Sequence, residues 1–217
     1  MARRNSLEGN SVQGMRILSS LDASEIATLD RRCQWRRLQP KEWLVHQGHL
    51  GTDAHLLTDG ALRMIINSPD GSDVILADFK AGDYFGEMSA IDGQPQSAGV
   101  VAIVESIVAS IPAAVFRQLL HTHPEVIERV LRDIVSRTRL LHQRISELHT
   151  MPVRHRIYAE LLRRADPIDE RHAVISSLPR HAELAACVGT LQRLELTDHG
   201  FPPRADTGGK FSMPRQR

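Results

Sequence analysis

The sequence predicts an α+β protein in which a β jelly roll is followed by one long helix and a helix-turn-helix segment. Short apolar runs separated by Gly, Pro, Asn and Asp fill residues 33–116, which is typical of an antiparallel sandwich or jelly roll. Apolar residues then recur every seven positions over 124–149, as in a long packed helix. The stretch 179–190 has the small and apolar residues of a helix that crosses a second helix at a turn.

The N-terminal segment is predicted to begin as a polar arm and to become helical after Asp22. Residues 1–13 are mostly polar, so we expect them to be disordered. Glu25 follows Asp22 by three residues, which is the pattern of a capping box at a helix start. We place the jelly-roll domain, with this helix as its lead-in, at residues 14–123.

The stretch from Gly82 to Ala98 reads GDYFGEMSAIDGQPQSA and lies after two strand-like runs. A glycine followed by a short helical turn places several backbone N–H groups at one point, where they could bind a phosphate. Glu87 offers a carboxylate to a sugar hydroxyl, and Ser97 offers a hydroxyl to a phosphate oxygen. On spacing alone, a surface loop between two strands is an equal alternative.

Pro124 is predicted to open the longest helix of the chain, over residues 124–150. The apolar positions of this helix are Ile127, Ile134, Leu141 and Leu148, seven residues apart, with Val130, Leu131 and Ile145 beside them. A narrow apolar stripe with dense flanking charges favours a two-stranded coiled coil, and therefore a homodimer. A helix that packs on its own sheet is the alternative.

A second domain is predicted over residues 151–190. Residues 153–165 have helical spacing, and 173–175 read as a short strand. The segment LPRHAELAACVGT then has the pattern of the first helix of a helix-turn-helix, with Gly189 at the turn.

This pattern ends after Thr190, where the chain continues LQRLELTDHGFPPRADTGGKFSMPRQR. Gly200, Pro202 and Pro203 limit any further helix to about two turns. We therefore expect residues 191–217 to form an atypical, disordered tail.

Together these motifs resemble the Crp/Fnr family of bacterial transcription regulators, over about residues 15–190. The segment FGEMSAIDGQPQSA resembles the phosphate-binding cassette of that family's cyclic-nucleotide-binding domain. The resemblance implies a jelly-roll sensor domain, a dimerisation helix and a C-terminal winged helix-turn-helix, which is incomplete here. The ligand-binding residues that it implies are Phe85, Gly86, Glu87, Met88, Gln96, Ser97 and Ala98, with Leu141 and His142 of the long helix near the ligand.

The chain departs from the family pattern at three positions that contact the ligand in that family. Gln96 replaces the arginine that pairs with the cyclic phosphate, and Leu141-His142 replaces the Thr-Ser pair that contacts adenine. A charge-assisted contact of about 1.5–3 kcal/mol thereby becomes an ordinary hydrogen bond of about 1 kcal/mol. No cofactor is expected to be required. Cyclic AMP or cyclic GMP is the effector that the resemblance implies, with weaker binding and no assured preference for adenine.

The resemblance further implies a cytoplasmic homodimer, paired through residues 124–150, that binds DNA and contacts RNA polymerase. The expected DNA-binding residues are Arg180, His181, Thr190, Gln192 and Arg193. The recognition-helix pattern fails after Thr190, and we hypothesise that the reading frame changed or was truncated there. We therefore expect weak specific DNA affinity. The alternative is a dimeric ligand-sensing or interaction protein that has lost specific DNA binding.

Composition and motif content argue against other classes of protein. The net charge is +1, so DNA contact would require a local basic patch. Cys33 and Cys187 are too few for a disulfide framework or a metal cluster. The His121-x-His123 pair lacks the further ligands of a jelly-roll metalloenzyme, and no catalytic constellation stands out, so no metal and no enzyme activity are expected. No apolar run reaches eighteen residues and the N-terminal residues lack the apolar region of a signal peptide, so no membrane contact is expected.

Overall fold

The computed structural model describes residues 9–67, 73–167, 172–175, 181–188 and 211–212. The chain divides into two compact units, Met1–Thr138 and Arg139–Arg217. Helix and antiparallel strand both contribute, so the predicted α+β class is confirmed.

The first unit holds eight strands and three complete helices among the described residues, after a turn of 3-10 helix at Arg16–Leu18. In chain order these are α1 (Ala23–Arg32), β1 (Gln34–Leu38), β2 (Trp43–Val45), β3 (Ala54–Asp59), β4 (Ala61–Asn67), β5 (Asp73–Lys80), β6 (Tyr84–Phe85), α2 (Glu87–Asp92), β7 (Gly99–Ala102), β8 (Ser106–Ile111) and α3 (Ala113–Thr122). The long helix α4 (Pro124–Thr150) begins in this unit and continues into the second.

The strands form two four-stranded antiparallel sheets, in the orders β1-β8-β3-β6 and β2-β7-β4-β5. Side chains of successive strand residues point to opposite faces of a sheet. In β3 and β6, Leu57 and Phe85 therefore join the apolar cluster between the sheets, whereas Leu56 and Tyr84 join the cluster under the helices. The predicted jelly-roll sandwich is confirmed, and its first sheet is covered on both faces.

The N-terminal helix follows its predicted signal. Asp22 Oδ1 accepts the backbone N–H of Glu25 over 2.8 Å, and Glu25 Oε2 accepts that of Asp22 over 2.8 Å, so the capping box is formed. The expected disordered arm over 1–13 is wrong at its end, because Val12 is fully buried and its N–H donates to Asp30 Oδ1 over 2.8 Å. The Ser11 hydroxyl also donates to Asp30 Oδ2 over 2.7 Å, so these two hydrogen bonds and the burial of Val12 hold the chain here. Residues 1–8 lie outside the described part.

Helix α4 presents two faces in the first unit. Val126 and Val130 are buried against the apolar cluster of α1, α3 and the first sheet. The sequence placed Val130 with the seven-residue stripe, and the structure instead assigns it to the core. The large apolar side chains that α4 leaves exposed are Ile127, Leu131, Val135, Leu140, Leu141, Ile145 and Leu148.

The second unit contains the end of α4, α5 (Val153–Arg163), β9 (Asp166–Pro167), β10 (His172–Val174), α6 (His181–Val188) and β11 (Phe211–Ser212). Arg163 joins α4 to α5 by donating to Glu147 over 3.0 Å and to Glu160 over 3.1 Å. The three strands form one sheet in the order β11-β10-β9.

The expectation of a structureless tail is wrong at Phe211–Ser212, because this pair extends the sheet by backbone pairing with β10. Backbone pairing does not depend on an apolar pattern, which explains why no sequence signal marked this pair. The rest of the tail and the predicted turn after α6 lie outside the described residues. No helix in the part of the chain that the structure describes has the length and apolar character needed to cross a membrane.

Candidate functional site

The cassette of residues 85–98 starts at the edge of the first sheet, where β6 pairs with β3. Gly86 follows with a φ of +78° and caps α2 at its N-terminus. A Cβ atom at residue 86 would lie 2.6 Å from the Asp53 carbonyl oxygen and 3.1 Å from His55 Cδ2. Both the left-handed conformation and the close approach to β3 therefore require glycine at this position.

Glu87 is a buried carboxylate, with only 3% of its surface exposed. Arg137 of α4 donates to its Oε1 through Nη1 over 2.7 Å, and through Nη2 to the Tyr84 carbonyl oxygen over 3.0 Å. Burying a carboxylate is costly unless a charged partner and hydrogen bonds compensate. Arg137 supplies both, so it holds the cassette and α4 together at the point where the family pattern places a ligand.

Sequence reasoning did not identify Arg137 as a site residue. It counted this arginine among the charges that flank the apolar stripe. The sequence does place Arg137 on the same face of α4 as Val126 and Val130. That spacing could have indicated that Arg137 faces the first sheet.

Gln96 is buried and hydrogen-bonded within the protein. Its Nε2 donates to the Gly51 carbonyl oxygen over 3.0 Å, and its backbone joins the same loop through His49 and Gly48, over 2.9 and 2.8 Å. The side chain thus fastens the cassette to the loop between β2 and β3. Its neighbour Ser97 is exposed.

The remaining cassette positions serve different roles. Phe85 is 1% exposed and stacks on Phe79 with a centroid separation of 4.8 Å. Ala98 is also buried, whereas Met88 is exposed on α2. Arg117 of α3 donates to the Ala90 carbonyl oxygen over 2.7 Å, which anchors α2 to the next helix.

His55 of β3 packs against the start of the cassette, at Phe85 and Gly86. It was not identified as a site residue from the sequence. Its Nδ1 lies 2.8 Å from Ser110 Oγ, and its ring centroid is 5.2 Å from that of Phe85. Burial, with smaller effects of the Arg36 and His49 charges, lowers the pKa of His55 to about 4. The imidazole is therefore neutral at physiological pH.

The other predicted residues lie in the second unit. Leu141 and His142 are exposed on the part of α4 that belongs to it. His181 begins α6, but its side chain is not described. The remaining predicted DNA-binding residues, Arg180, Thr190, Gln192 and Arg193, lie outside the described residues.

A separate cavity and the His-x-His pair lie away from the cassette. The cavity, of about 200 Å³, is between α1 and α3, and no cassette residue lines it. His123 sits at its rim, with Nε2 2.9 Å from Glu25 Oε1, so this histidine of the predicted pair binds a carboxylate. Within the described ranges, no three His, Cys, Asp or Glu residues come together in a way that could hold a metal ion.

Comparisons with known proteins agree with this geometry. The sequence profile of the cyclic nucleotide-binding domain family matches residues 35–123. The cAMP-activated global transcriptional regulator CRP of Salmonella typhimurium is 28% identical over 138 residues, which are 63% of this chain and 66% of that protein. The match thus spans just under two thirds of this relative's length.

Two solved structures are similar over most of the chain. The catabolite activator protein of Thermus thermophilus has a TM-score of 0.56 and 26% identity, and the similarity covers 81% of each chain. The c-di-GMP responsive global regulator CLP of Xanthomonas campestris has a TM-score of 0.66 at 20% identity, over 79% of this chain and 86% of that chain. The second likeness is one of fold. Residues 35–123 therefore match the cyclic nucleotide-binding domain family, and the fold of the chain is similar to those of the catabolite activator protein and CLP.

Proposed function

We propose that this chain is a homodimeric transcription regulator whose sensor domain binds an anionic cyclic nucleotide beside Glu87 and passes the signal to DNA through α4. The observation that carries this proposal is the 2.7 Å bond between Arg137 Nη1 and Glu87 Oε1. It joins the cassette directly to the long helix. A ligand that changes the partners of Glu87 or Arg137 must therefore change how α4 is held.

The chemistry of this pair suits a sugar phosphate. Glu87 can accept ribose hydroxyls, and Arg137, whose side chain is 41% exposed, can reach a ligand anion. Gln96 adds no charge and its amide is already bonded to Gly51. We therefore expect weaker affinity than in a site with an arginine at position 96.

Two relatives suggest different effectors. The Salmonella typhimurium relative is named as activated by cAMP, and the Xanthomonas campestris neighbour as responsive to c-di-GMP. Calorimetric titration of the chain with cyclic AMP, cyclic GMP and cyclic di-GMP separates these possibilities. Binding of none of them at millimolar concentration would refute the effector part of the proposal.

Variants of the ion pair test the site itself. Glu87→Gln should weaken nucleotide binding by roughly tenfold or more, because a neutral amide accepts hydroxyls less strongly than a carboxylate. Arg137→Gln should have a comparable effect. Arg132→Gln is the matched control, since Arg132 lies on the same helix and pairs with Glu128 at the surface.

The homodimer is proposed to form through the exposed apolar stripe of α4. Leu131 is 55% exposed and Ile145 is 53% exposed in the single chain, and a second copy of the helix would cover both. Leu131→Glu should shift the chain to a monomer in light scattering. Leu50→Glu, at an 81% exposed leucine outside the stripe, should leave the dimer intact.

A dimeric ligand sensor without specific DNA binding is the second candidate. The loss of the recognition-helix pattern after Thr190 favours it. Binding of this chain to a randomised pool of DNA duplexes decides between the two. Enrichment of a palindromic sequence with nanomolar affinity supports the regulator, and salt-dependent binding without sequence preference supports the second candidate.

A further inference from the structure

Tyr84 immediately precedes the cassette and contacts α4 through three different groups. It is 4% exposed and immediately precedes Phe85 and Gly86. Its hydroxyl donates to Asp133 Oδ2 over 3.1 Å, and its carbonyl oxygen accepts from Arg137 Nη2 over 3.0 Å. The Arg137 guanidinium carbon also lies 5.2 Å from the centroid of the Tyr84 ring.

Asp133 and Arg137 are four residues apart on α4, so they lie on one face of the helix. Asp133 is held by Arg16 Nη2 as well, at 3.1 and 3.3 Å. Burial, and next the charge of Asp133, raise the pKa of Tyr84 above its usual value. The hydroxyl therefore stays protonated and remains a donor.

These contacts determine where the Arg137 guanidinium can be. Its Nη1 bonds to Glu87, its Nη2 bonds to the Tyr84 carbonyl oxygen, and its Cζ lies over the Tyr84 ring, 5.2 Å from the ring centroid. The ring is in turn fixed at its far end by the hydroxyl bond to Asp133. An arginine that is already fixed loses less conformational entropy when a ligand binds than one that is mobile.

We propose that Tyr84 is a positioning residue of the effector site, which holds Arg137 against Glu87 through its ring, carbonyl and hydroxyl. This inference rests on the proposed function of the site. The simpler view is that Tyr84 is a buried aromatic of the core whose hydroxyl merely finds a partner. The two views differ in whether removal of the Tyr84 hydroxyl changes ligand binding by changing the position of Arg137.

The chain has two tyrosines, which provides a matched pair of variants. Tyr84→Phe removes only the bond to Asp133, and Tyr158→Phe removes a hydroxyl from a side chain that is 48% exposed on α5. Titration with cyclic AMP should show a Kd raised by about five- to tenfold in Tyr84→Phe, because only part of the free energy of the Tyr84–Asp133 hydrogen bond is transmitted to the ligand through Arg137. Tyr158→Phe should stay within about twofold of the parent chain.

A double-mutant cycle tests whether the effect passes through Arg137. Lysine lacks the planar guanidinium that bonds Glu87 and the Tyr84 carbonyl oxygen through two separate nitrogens, so Arg137→Lys already removes the group that Tyr84 is proposed to position. In that background Tyr84→Phe should change the Kd by less than about twofold. An undiminished five- to tenfold effect there would show a purely structural role and overturn the inference.

A measurement without ligand keeps this test independent of the proposed function. The Nε–Hε signal of Arg137 in an NMR spectrum of the ligand-free chain can be assigned by its absence in Arg137→Lys. It should broaden or shift in Tyr84→Phe and stay unchanged in Tyr158→Phe. If the parent chain binds no nucleotide, the effector proposal fails. If the Arg137 signal is the same in Tyr84→Phe as in the parent, the positioning role fails.

Discussion

Replacement of Gly86 by alanine would test how closely the cassette is packed against β3. The residue has a φ of +78°, and a methyl group there would lie 2.6 Å from the Asp53 carbonyl oxygen. The second close atom, His55 Cδ2 at 3.1 Å, belongs to a buried ring that is bonded to Ser110. Neither neighbour is the free end of a flexible side chain, so the backbone has to move.

The expected cost has two parts. Placing an L-residue in the left-handed region costs about 1–2 kcal/mol. Displacing packed groups to admit a methyl costs about a further 1–3 kcal/mol. Gly93→Ala separates the two parts, because Gly93 has a φ of +72° and a methyl group on it would meet nothing within 4 Å among the described residues. We expect roughly 2–5 kcal/mol of destabilisation for Gly86→Ala and about 1–2 kcal/mol for Gly93→Ala.

Urea unfolding followed by tryptophan fluorescence measures this difference, because both tryptophans, Trp35 and Trp43, report on the first unit. The free energy of unfolding should fall further in Gly86→Ala than in Gly93→Ala by about 1–3 kcal/mol. Nucleotide binding should be lost with it, since the shift moves Glu87. Equal destabilisation of the two variants would refute the claim that contact with β3 restricts position 86.

Three further predictions concern His55, Gln96 and Asp22. His55 has a folded-state pKa of about 4, below its usual 6.5, so its contribution is complete above about pH 6.5 and is lost as the pH falls towards 4. Urea unfolding should show a loss of about 2 kcal/mol from this group between pH 7.5 and pH 5, and a much smaller pH dependence in His55→Asn. Gln96→Arg should tighten cyclic AMP binding by about fivefold in calorimetry, because the gain of a charged phosphate contact exceeds the loss of the bond to Gly51, and no gain would mean that this position does not meet phosphate. Asp22→Ala should cost about 1 kcal/mol of unfolding free energy by removing the capping box, and Asp22→Asn should recover most of it.

The features that the sequence predicted well depend on residues close together in the chain. The capping box of Asp22 and Glu25 spans four residues, and Pro124 starts α4 where a first-turn proline is expected. The short, nearly continuous apolar runs of β3 and β8 are typical of strands that are buried on both faces. Such local signals were enough to predict the main helices and the strand-rich region, whereas the cassette was identified by its resemblance to a known family.

The features that it could not predict depend on contacts across the fold. Glu87 and Arg137 are fifty residues apart, and their bond depends on how α4 packs on the first sheet. The burial of Gln96 likewise depends on Gly51, which belongs to another loop. A residue type that suits a ligand can equally satisfy the protein itself, and only the packing decides between these roles.

The two faces of α4 connect the proposed effector site with the proposed dimer contact. Val126, Val130 and Arg137 point into the first unit, whereas Leu131 lies on the exposed side, roughly 120° away around the helix axis at 3.6 residues per turn. A helix that turns as one body moves both faces by the same angle. By linkage, ligand binding and dimerisation must then influence each other by the same factor.

This reciprocity leads to a final prediction. The monomeric variant Leu131→Glu should bind cyclic AMP with a Kd changed by at least about fivefold from that of the dimer, since coupling energies of this kind are commonly about 1–3 kcal/mol. Leu50→Glu controls for an added surface charge. Calorimetry on both variants, with the oligomeric state measured in the same samples, provides the comparison. Equal affinities in a confirmed monomer and a confirmed dimer would mean that α4 bends between its two faces, so that occupancy beside Glu87 does not reach the dimer contact.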